Sequence, residues 1–134
     1  MIPYFFVIFL DLSDVIRLHD IAIESYGGVF GIRDIGLLES ALHQPIMLVH
    51  YGDESDTKIS NLAATYLFHI IKNHPFIDGN KRAGIFATIH FLNINHFDLE
   101  VDLEMLYLLA LDVAASQINK EEIAIFLQKH IKSL

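Results

Sequence analysis

HPFIDGNKR, residues 74–82, separates two helical patterns and so sets the centre of the predicted fold. Apolar residues recur at three- and four-residue spacing over 60–73 and again over 81–94, which predicts two helices. Pro75 cannot continue a helix and disfavours helical angles at the residue before it, so the first helix should end near Asn73. The second helix should begin near Gly79, and a short loop then joins two buried helices.

The side chains of this loop point to an anion site. A helix start leaves unpaired backbone N–H groups and a partial positive charge, which suits a phosphate. Gly79 lets the main chain approach a ligand closely. Lys81 and Arg82 add a point charge and a planar fork of donors at the same end.

Two further groups extend the prediction from binding to chemistry. Asp78 fits an anion site if a divalent cation bridges it to phosphates, and Mg²⁺ binds through one or two carboxylates plus substrate phosphates. His74 precedes the loop, and histidine is well suited to take a proton from a hydroxyl nucleophile. The stretch therefore predicts a site that moves a phosphorus-centred group onto a hydroxyl.

The nine residues resemble the signature of the Fic/Doc family, H-x-F-x-[DE]-[GA]-N-[GK]-R. The resemblance to the death-on-curing (Doc-like) branch extends to YGGVFGIRDIGLLESAL at 26–42 and to FLDLSDVIRLHD at 9–20, so it covers nearly the whole chain. It implies an all-α, mainly helical fold: a Fic/Doc-type bundle of about six helices with a short β flap. By the same resemblance, residues 46–52 (IMLVHYG) are the flap on which the target protein docks, although an ordinary buried loop is an equal alternative.

The resemblance also implies roles within the catalytic loop, residues 74–82. His74 would deprotonate a hydroxyl of the target protein, and Asp78 would hold Mg²⁺ against the phosphates of ATP. Lys81 and Arg82 would stabilise the charge that develops on the transferred group. The residues expected to bind the nucleotide phosphates are Gly79, Asn80, Lys81 and Arg82. Phe76 would be a buried anchor.

Three functions are compatible with these residues. Lys81 resembles the Doc-type members, which transfer the terminal phosphate of ATP, whereas Pro75 and Gly79 resemble the members that transfer AMP. The target associated with the Doc-type members is translation elongation factor Tu. The third alternative is a non-catalytic binding module that keeps the fold; a metal-dependent hydrolase using His74 and Asp78 lacks further ligands.

Regulation by a second protein is a further expectation. Fic proteins that restrain themselves carry an inhibitory [ST]-x-x-x-E-[GN] helix, and no serine or threonine of this sequence begins such a pattern. If the protein is a toxin, a separate antitoxin protein is expected to bury a helix against the groove beside the motif.

Composition sets the broad class. A length of 134 residues predicts one domain over 1–134, and 53% hydrophobic residues predict a compact fold. The net charge of −8 disfavours direct nucleic-acid binding, and the absence of cysteine is compatible with the cytoplasm. The apolar opening, residues 1–10, lacks a basic region and is too short to span a bilayer, so we expect a short strand or an extended lead-in packed on the core, and no membrane contact.

Capping residues predict most other helix boundaries. Asp11 or Ser13 should start a helix that runs to about Tyr26, and Asp34 should start one from 35 to 43 that Gln44-Pro45 stops. The helix before the loop should be capped by Ser55 or Asp56. Asp102 should cap a helix over 103–115, and Asn119 with Glu122 forms a capping-box pattern for the last one.

Three side chains outside the motif also carry expectations. His19 and His69 are interpreted as histidines on helix faces rather than metal ligands. Arg33 is expected to pair with Glu39, or to act as a structural brace for the site.

Overall fold

A computed structural model describes residues 7–134, which form six helices and two short strands. The mainly helical prediction is therefore confirmed. In chain order the elements are α1 (Leu12–Tyr26), α2 (Ile35–Tyr51), α3 (Ile59–Asn73), α4 (Asn80–Ile94), β1 (Phe97–Leu99), α5 (Leu103–Ala114), α6 (Lys120–His130) and β2 (Ile131–Ser133).

The centre of the fold is the pair α3 and α4. Helix α3 is buried almost all round, as expected of a helix whose apolar residues do not keep to one stripe. It packs against α2, α4 and α6, while α4 also packs against α1 and α5. Gly84 allows the close approach of the pair, since a Cβ there would lie 3.0 Å from Cγ1 of Ile71. The loop 74–79 therefore joins the two most central helices.

Polar side chains attach the segment before α1 to this centre. The hydroxyl of Tyr66, a residue with no exposed surface, accepts from the backbone N–H of Leu10 at 3.0 Å. The side-chain amide of Asn95 binds both backbone groups of Ile8 at 2.8 and 2.9 Å. Residues 7–10 thus form a lead-in that is neither helix nor strand, while residues 1–6 of the predicted lead-in lie outside the described residues.

The predicted flap is wrong. Residues 46–51 are the last part of α2, which continues through Pro45 and ends at Gly52, whose N–H binds the Leu48 carbonyl at 2.8 Å. A proline inside a helix costs about 3 kcal/mol. Leu42, Pro45 and Val49 nevertheless share one buried face, and this burial outweighs the local penalty.

The β structure lies elsewhere. Strands β1 and β2 pair antiparallel, with Phe97 opposite Ser133 and Leu99 opposite Ile131. Each strand has three residues, too short for an alternating pattern to stand out in the sequence.

Most predicted caps are confirmed. Asp11 with Asp14 and Asn119 with Glu122 form capping boxes, and Asp34 accepts from the N–H of Leu37. Asp102 is the N-cap residue of α5, although its side chain makes no capping hydrogen bond.

The predicted cap of α3 is wrong. Its N-cap residue is Lys58, which makes no side-chain capping bond. Ser55 and Asp56 instead belong to a turn organised by Asp53. The Ser55 hydroxyl and then the Asp56 amide donate to that carboxylate and lower the pKa of Asp53.

Within the described residues, no helix combines the length and the apolar character that crossing a membrane requires.

His69 links α3 to the start of α6. Its Nε2 lies 3.2 Å from Nζ of Lys120 and can accept a hydrogen bond from the ammonium only while the imidazole is neutral. Burial, and then the positive charge of Lys120, lowers the pKa of His69 from 6.5 to about 4.

This pKa predicts a pH dependence of stability. Between pH 6.5 and 4 the unfolded chain binds a proton at His69 that the folded chain does not, so the free energy of unfolding should fall as the pH falls through that window. Because His69 keeps contact with solvent, we expect a loss of about 1–2 kcal/mol. Urea titrations at several pH values give the free energy of unfolding of the wild type and of His69→Gln. The slope of this free energy against pH, between pH 4 and 6.5, should be smaller for His69→Gln than for the wild type. The exposed-histidine variant His50→Gln should keep the wild-type slope, and equal slopes for all three proteins would contradict the prediction.

Candidate active site

Two left-handed residues turn the chain between α3 and α4. His74, the C-cap residue of α3, has φ 50° and ψ 54°, and Gly79, the N-cap residue of α4, has φ 74° and ψ 24°. Glycine adopts this conformation freely, but at His74 it costs about 1–2 kcal/mol. A conformation of this kind persists only where its surroundings impose it.

Arg33 holds the His74 end of the loop. Its Nε donates to the His74 carbonyl at 2.7 Å, and its terminal nitrogen donates to the Asn73 carbonyl at 3.0 Å. Both carbonyls belong to the C-terminal end of α3, where a cation is favoured and partners are lacking within the helix. The geometry matches the predicted brace. The predicted pair with Glu39 is wrong, since it is not among the ion pairs of the described residues.

Asn80 holds the middle of the loop. Its side-chain oxygen accepts from the Phe76 N–H at 2.9 Å, and its side-chain nitrogen donates to the Phe76 carbonyl at 3.0 Å. Both residues are buried, and the Phe76 ring has no exposed surface, as expected of an anchor. The Asn80 side chain is therefore used within the loop. The group that Asn80 contributes to the N-terminus of α4 is its backbone N–H.

His19 holds the Asp78 end of the loop, a role that no local sequence pattern indicates. The residue is 1% exposed, and its ring stacks on Phe76 with 3.8 Å between centroids and 4° between planes. Its Nε2 lies 2.7 Å from the Asp78 carbonyl oxygen, which can only accept, so Nε2 carries the proton. The sequence placed His19 on the inner face of α1, but its partner lies 59 positions away.

A small cavity of about 170 Å³ collects the predicted site residues. Its lining residues are His74, Ile77, Asp78, Gly79, Asn80, Lys81, Arg82 and Tyr107. All six residues proposed for catalysis, phosphate binding or metal binding thus share one cavity. Tyr107 is an addition from α5, whose strongly apolar sequence gave no sign of a site residue.

The floor of the cavity is the N-terminus of α4. No side chain caps this helix, and its first backbone bond runs from the Ala83 N–H to the Gly79 carbonyl at 2.9 Å. The N–H groups of Asn80, Lys81 and Arg82 precede that bond and have no partner in the helix. Three donors and the positive end of the helix dipole are therefore available to an anion.

The two cations differ in how firmly they are held. The Arg82 guanidinium lies 5.1 Å above the Tyr26 ring and donates to the Gly27 carbonyl at 3.3 Å. Lys81 is half-buried, and neither residue belongs to an ion pair of the described residues. Their charges are therefore not neutralised by a protein carboxylate in direct contact.

Asp78 is exposed at the cavity and is oriented by backbone donors. Its Oδ1 accepts from the Gly79 N–H at 2.9 Å, and its Oδ2 accepts from the Val29 N–H at 3.1 Å. A Cβ at Gly28 would lie 2.8 Å from Oδ2, so a larger residue there would displace the carboxylate. Each oxygen keeps a lone pair for a metal ion.

The residues fit a magnesium ion that arrives with phosphates. Among the described residues there is no group of three metal-binding side chains that would hold a metal ion alone. One carboxylate together with substrate phosphates is a donor set that Mg²⁺ accepts. Asp78 is the residue that would hold it.

An extended segment, residues 27–33, lies along the loop. Ile32 and Phe76 form an antiparallel bridge, and the Ile77 N–H donates to the Gly31 carbonyl at 3.1 Å. The side chains of Val29, Phe30 and Ile77 are each more than half exposed beside the cavity. The extended chain next to the site is thus 27–33 and not 46–52.

The family model described as Fic/DOC family matches residues 9–92, more than half of the chain. The chain belongs to the Fic/DOC family. It is 36% identical over 97 residues to Toxin Doc of Mycolicibacterium smegmatis, which is 72% of each chain. It is 35% identical over 83 residues to Protein kinase doc of Escherichia phage P1, which is 62% of this chain and 64% of that protein. The names of these relatives support the resemblance to the Doc-like branch that the sequence shows.

Asn80→Ala tests how the loop is held. The change leaves the buried N–H and carbonyl of Phe76 unpaired, which should lower the free energy of unfolding by roughly 2–4 kcal/mol. Asn93→Ala, at an exposed position of the same helix, should change stability by less than about 0.5 kcal/mol. Urea unfolding of both variants measures the difference. Equal stabilities would show that the two hydrogen bonds do not hold the loop.

Proposed function

We propose that this protein is a Doc-like toxin that transfers the terminal phosphate of ATP to a hydroxyl of a target protein. The observation that carries the proposal is the shared cavity of His74, Asp78, Lys81 and the three unpaired N–H groups of α4. The names of the two relatives, a toxin and a protein kinase, support the same class of activity. Translation elongation factor Tu is the proposed target, and the cytoplasm is the proposed location.

Each group has a step in the proposed reaction. His74 takes the proton of the attacking hydroxyl, the new O–P bond forms at the terminal phosphorus, and the bond to the bridging oxygen breaks to release ADP. The N–H groups at the start of α4, with Lys81 and Arg82, bind the charge that spreads over the phosphoryl oxygens. Asp78 is the proposed ligand of Mg²⁺, which when bound neutralises phosphate charge.

Transfer of AMP is the second candidate. Pro75 and Gly79 favour it, because the AMP-transferring members of the family resemble this chain at those positions. Lys81 favours phosphate transfer, since those members usually carry glycine there. The two reactions use the same base and the same anion site, and they differ in which phosphorus atom occupies that site. A non-catalytic binding module is the remaining alternative.

Intact mass spectrometry of purified elongation factor Tu, incubated with the protein, Mg²⁺ and ATP, distinguishes these activities. We expect the mass of one phosphate to be added, and His74→Ala should slow the transfer by about 10²–10⁴-fold because the base is lost. The exposed-histidine variant His43→Ala should retain the wild-type rate. Addition of one AMP would select the second candidate. If no protein of a lysate gains mass, and growth arrest on expression is the same with His74→Ala, the binding module is the correct alternative.

We propose that a separate antitoxin binds beside the cavity. A second cavity of about 470 Å³ adjoins the first and shares Arg82 and Tyr107 with it. Its remaining lining is Tyr26, Ile85, Phe86, Leu103 and Glu104, so it is largely apolar and aromatic. An apolar groove of this kind suits the apolar face of a helix.

Purification of the tagged protein from its native cells tests the antitoxin. We expect a small protein to co-purify with the wild type and to be lost with Leu103→Glu, which places a charge in the groove at a 51% exposed position. Ile125→Glu, at a 59% exposed position on α6, should retain the partner. Recovery of the bare wild-type protein would contradict the proposal.

A further inference from the structure

We propose that His19 and Arg33, which lie outside the catalytic loop, are positioning residues with separate tasks. Arg33 orients the His74 imidazole. His19 orients the Asp78 carboxylate and positions the first residue of α4. The inference deepens the proposed function and rests on it for the roles of His74 and Asp78.

Arg33 contacts both peptide groups that flank the Cα atom of His74. The Asn73 carbonyl belongs to the peptide before His74, and the His74 carbonyl belongs to the peptide after it; the guanidinium binds them at 3.0 and 2.7 Å. Fixing both peptides fixes φ and ψ of His74 at their left-handed values. The direction of the Cα–Cβ bond follows, and with it the side of the loop from which the imidazole lines the cavity.

Backbone hydrogen bonds from residues 33 and 34 attach the same segment to the loop. The N–H groups of Arg33 and Asp34 both donate to the Pro75 carbonyl, at 2.7 and 3.0 Å. The guanidinium therefore extends from a main chain that is itself attached to the loop, and three successive carbonyls, 73 to 75, are held from one short segment.

His19 contacts the peptide group between Asp78 and Gly79. It binds the carbonyl of that peptide at 2.7 Å, while the N–H of the same peptide donates to Asp78 Oδ1 at 2.9 Å. One peptide thus connects the His19 ring, the carboxylate and the N-cap residue of α4. Stacking on Phe76 fixes the plane of the His19 ring, so its N–H points in one direction.

Substitutions can distinguish the hydrogen-bonding roles of these two side chains from their contribution to packing. His19→Phe keeps a flat ring against Phe76 but removes the donor to Asp78. Arg33→Lys keeps the positive charge at the end of α3 but replaces a planar fork by a single ammonium, which cannot hold two carbonyls in a fixed geometry. Arg17→Met is the matched control, because Arg17 is exposed on the same helix as His19 and makes only a 3.9 Å pair with Asp14.

The experiment measures the dissociation constant of a non-hydrolysable ATP analogue with Mg²⁺, and kcat for transfer at saturating ATP. His19→Phe should weaken binding by about tenfold and leave kcat within about threefold, since it disturbs the nucleotide end. Arg33→Lys should leave binding within about twofold and lower kcat by roughly tenfold to a hundredfold, since it misaims the base. Arg17→Met should change neither constant.

Residue-resolved amide hydrogen exchange gives a readout that needs no turnover. His19→Phe should speed exchange at Gly79, and Arg33→Lys should speed exchange at Ile77, each without the other. If the wild type binds the analogue but transfers nothing, the proposed function is wrong. Amide exchange and analogue binding in the variants still test the positioning roles of His19 and Arg33. The inference is overturned if both variants change the same constants and the same amides, as a general loosening of the fold would, or if neither differs from Arg17→Met.

Discussion

The two hydrogen bonds between the Asn80 side chain and the Phe76 backbone are the constraint on which the site depends. They close the loop onto the first turn of α4, and they bury the Phe76 ring between α1 and the central helices. Because a buried amide is costly to leave without partners, these two bonds hold the loop in this arrangement against the packed core. His19 and Arg33 then fix its two ends.

In the same arrangement, the backbone and side-chain groups proposed for binding and catalysis remain available at the cavity. The N-cap residue of α4 is Gly79, which has no side chain to cap the helix, and the Asn80 side chain binds Phe76, so the backbone N–H groups of residues 80–82 stay available. The left-handed turns at His74 and Gly79 place an imidazole and an exposed carboxylate around these donors. The conformational cost at His74 is met by contacts elsewhere in the fold, as is common for strained residues at functional sites. Stability and function are thus divided between the side chain and the backbone of one residue, Asn80.

The parts of this structure that could be predicted from the sequence are those set by neighbours along the chain. Pro75 and the apolar spacing on either side located the loop, and the capping boxes of α1 and α6 depend on residues three positions apart. The parts that were missed depend on distant contacts. Burial of Pro45 carries α2 through a residue that usually ends a helix, so the flap expected at 46–52 is helical. The hydrogen bond of His19 joins residues 59 positions apart, and no local pattern indicates it.

The central claim is that the N-terminus of α4 is the phosphate site. Backbone amide chemical shifts during a titration with inorganic triphosphate test it most directly. We expect saturable shifts that are largest at Asn80, Lys81 and Arg82. Helix α3 also begins without a side-chain cap and serves as an internal comparison, because its first amides should respond only to general helix-dipole attraction. Shifts at Ile59 and Ser60 equal to those of α4 would contradict the claim.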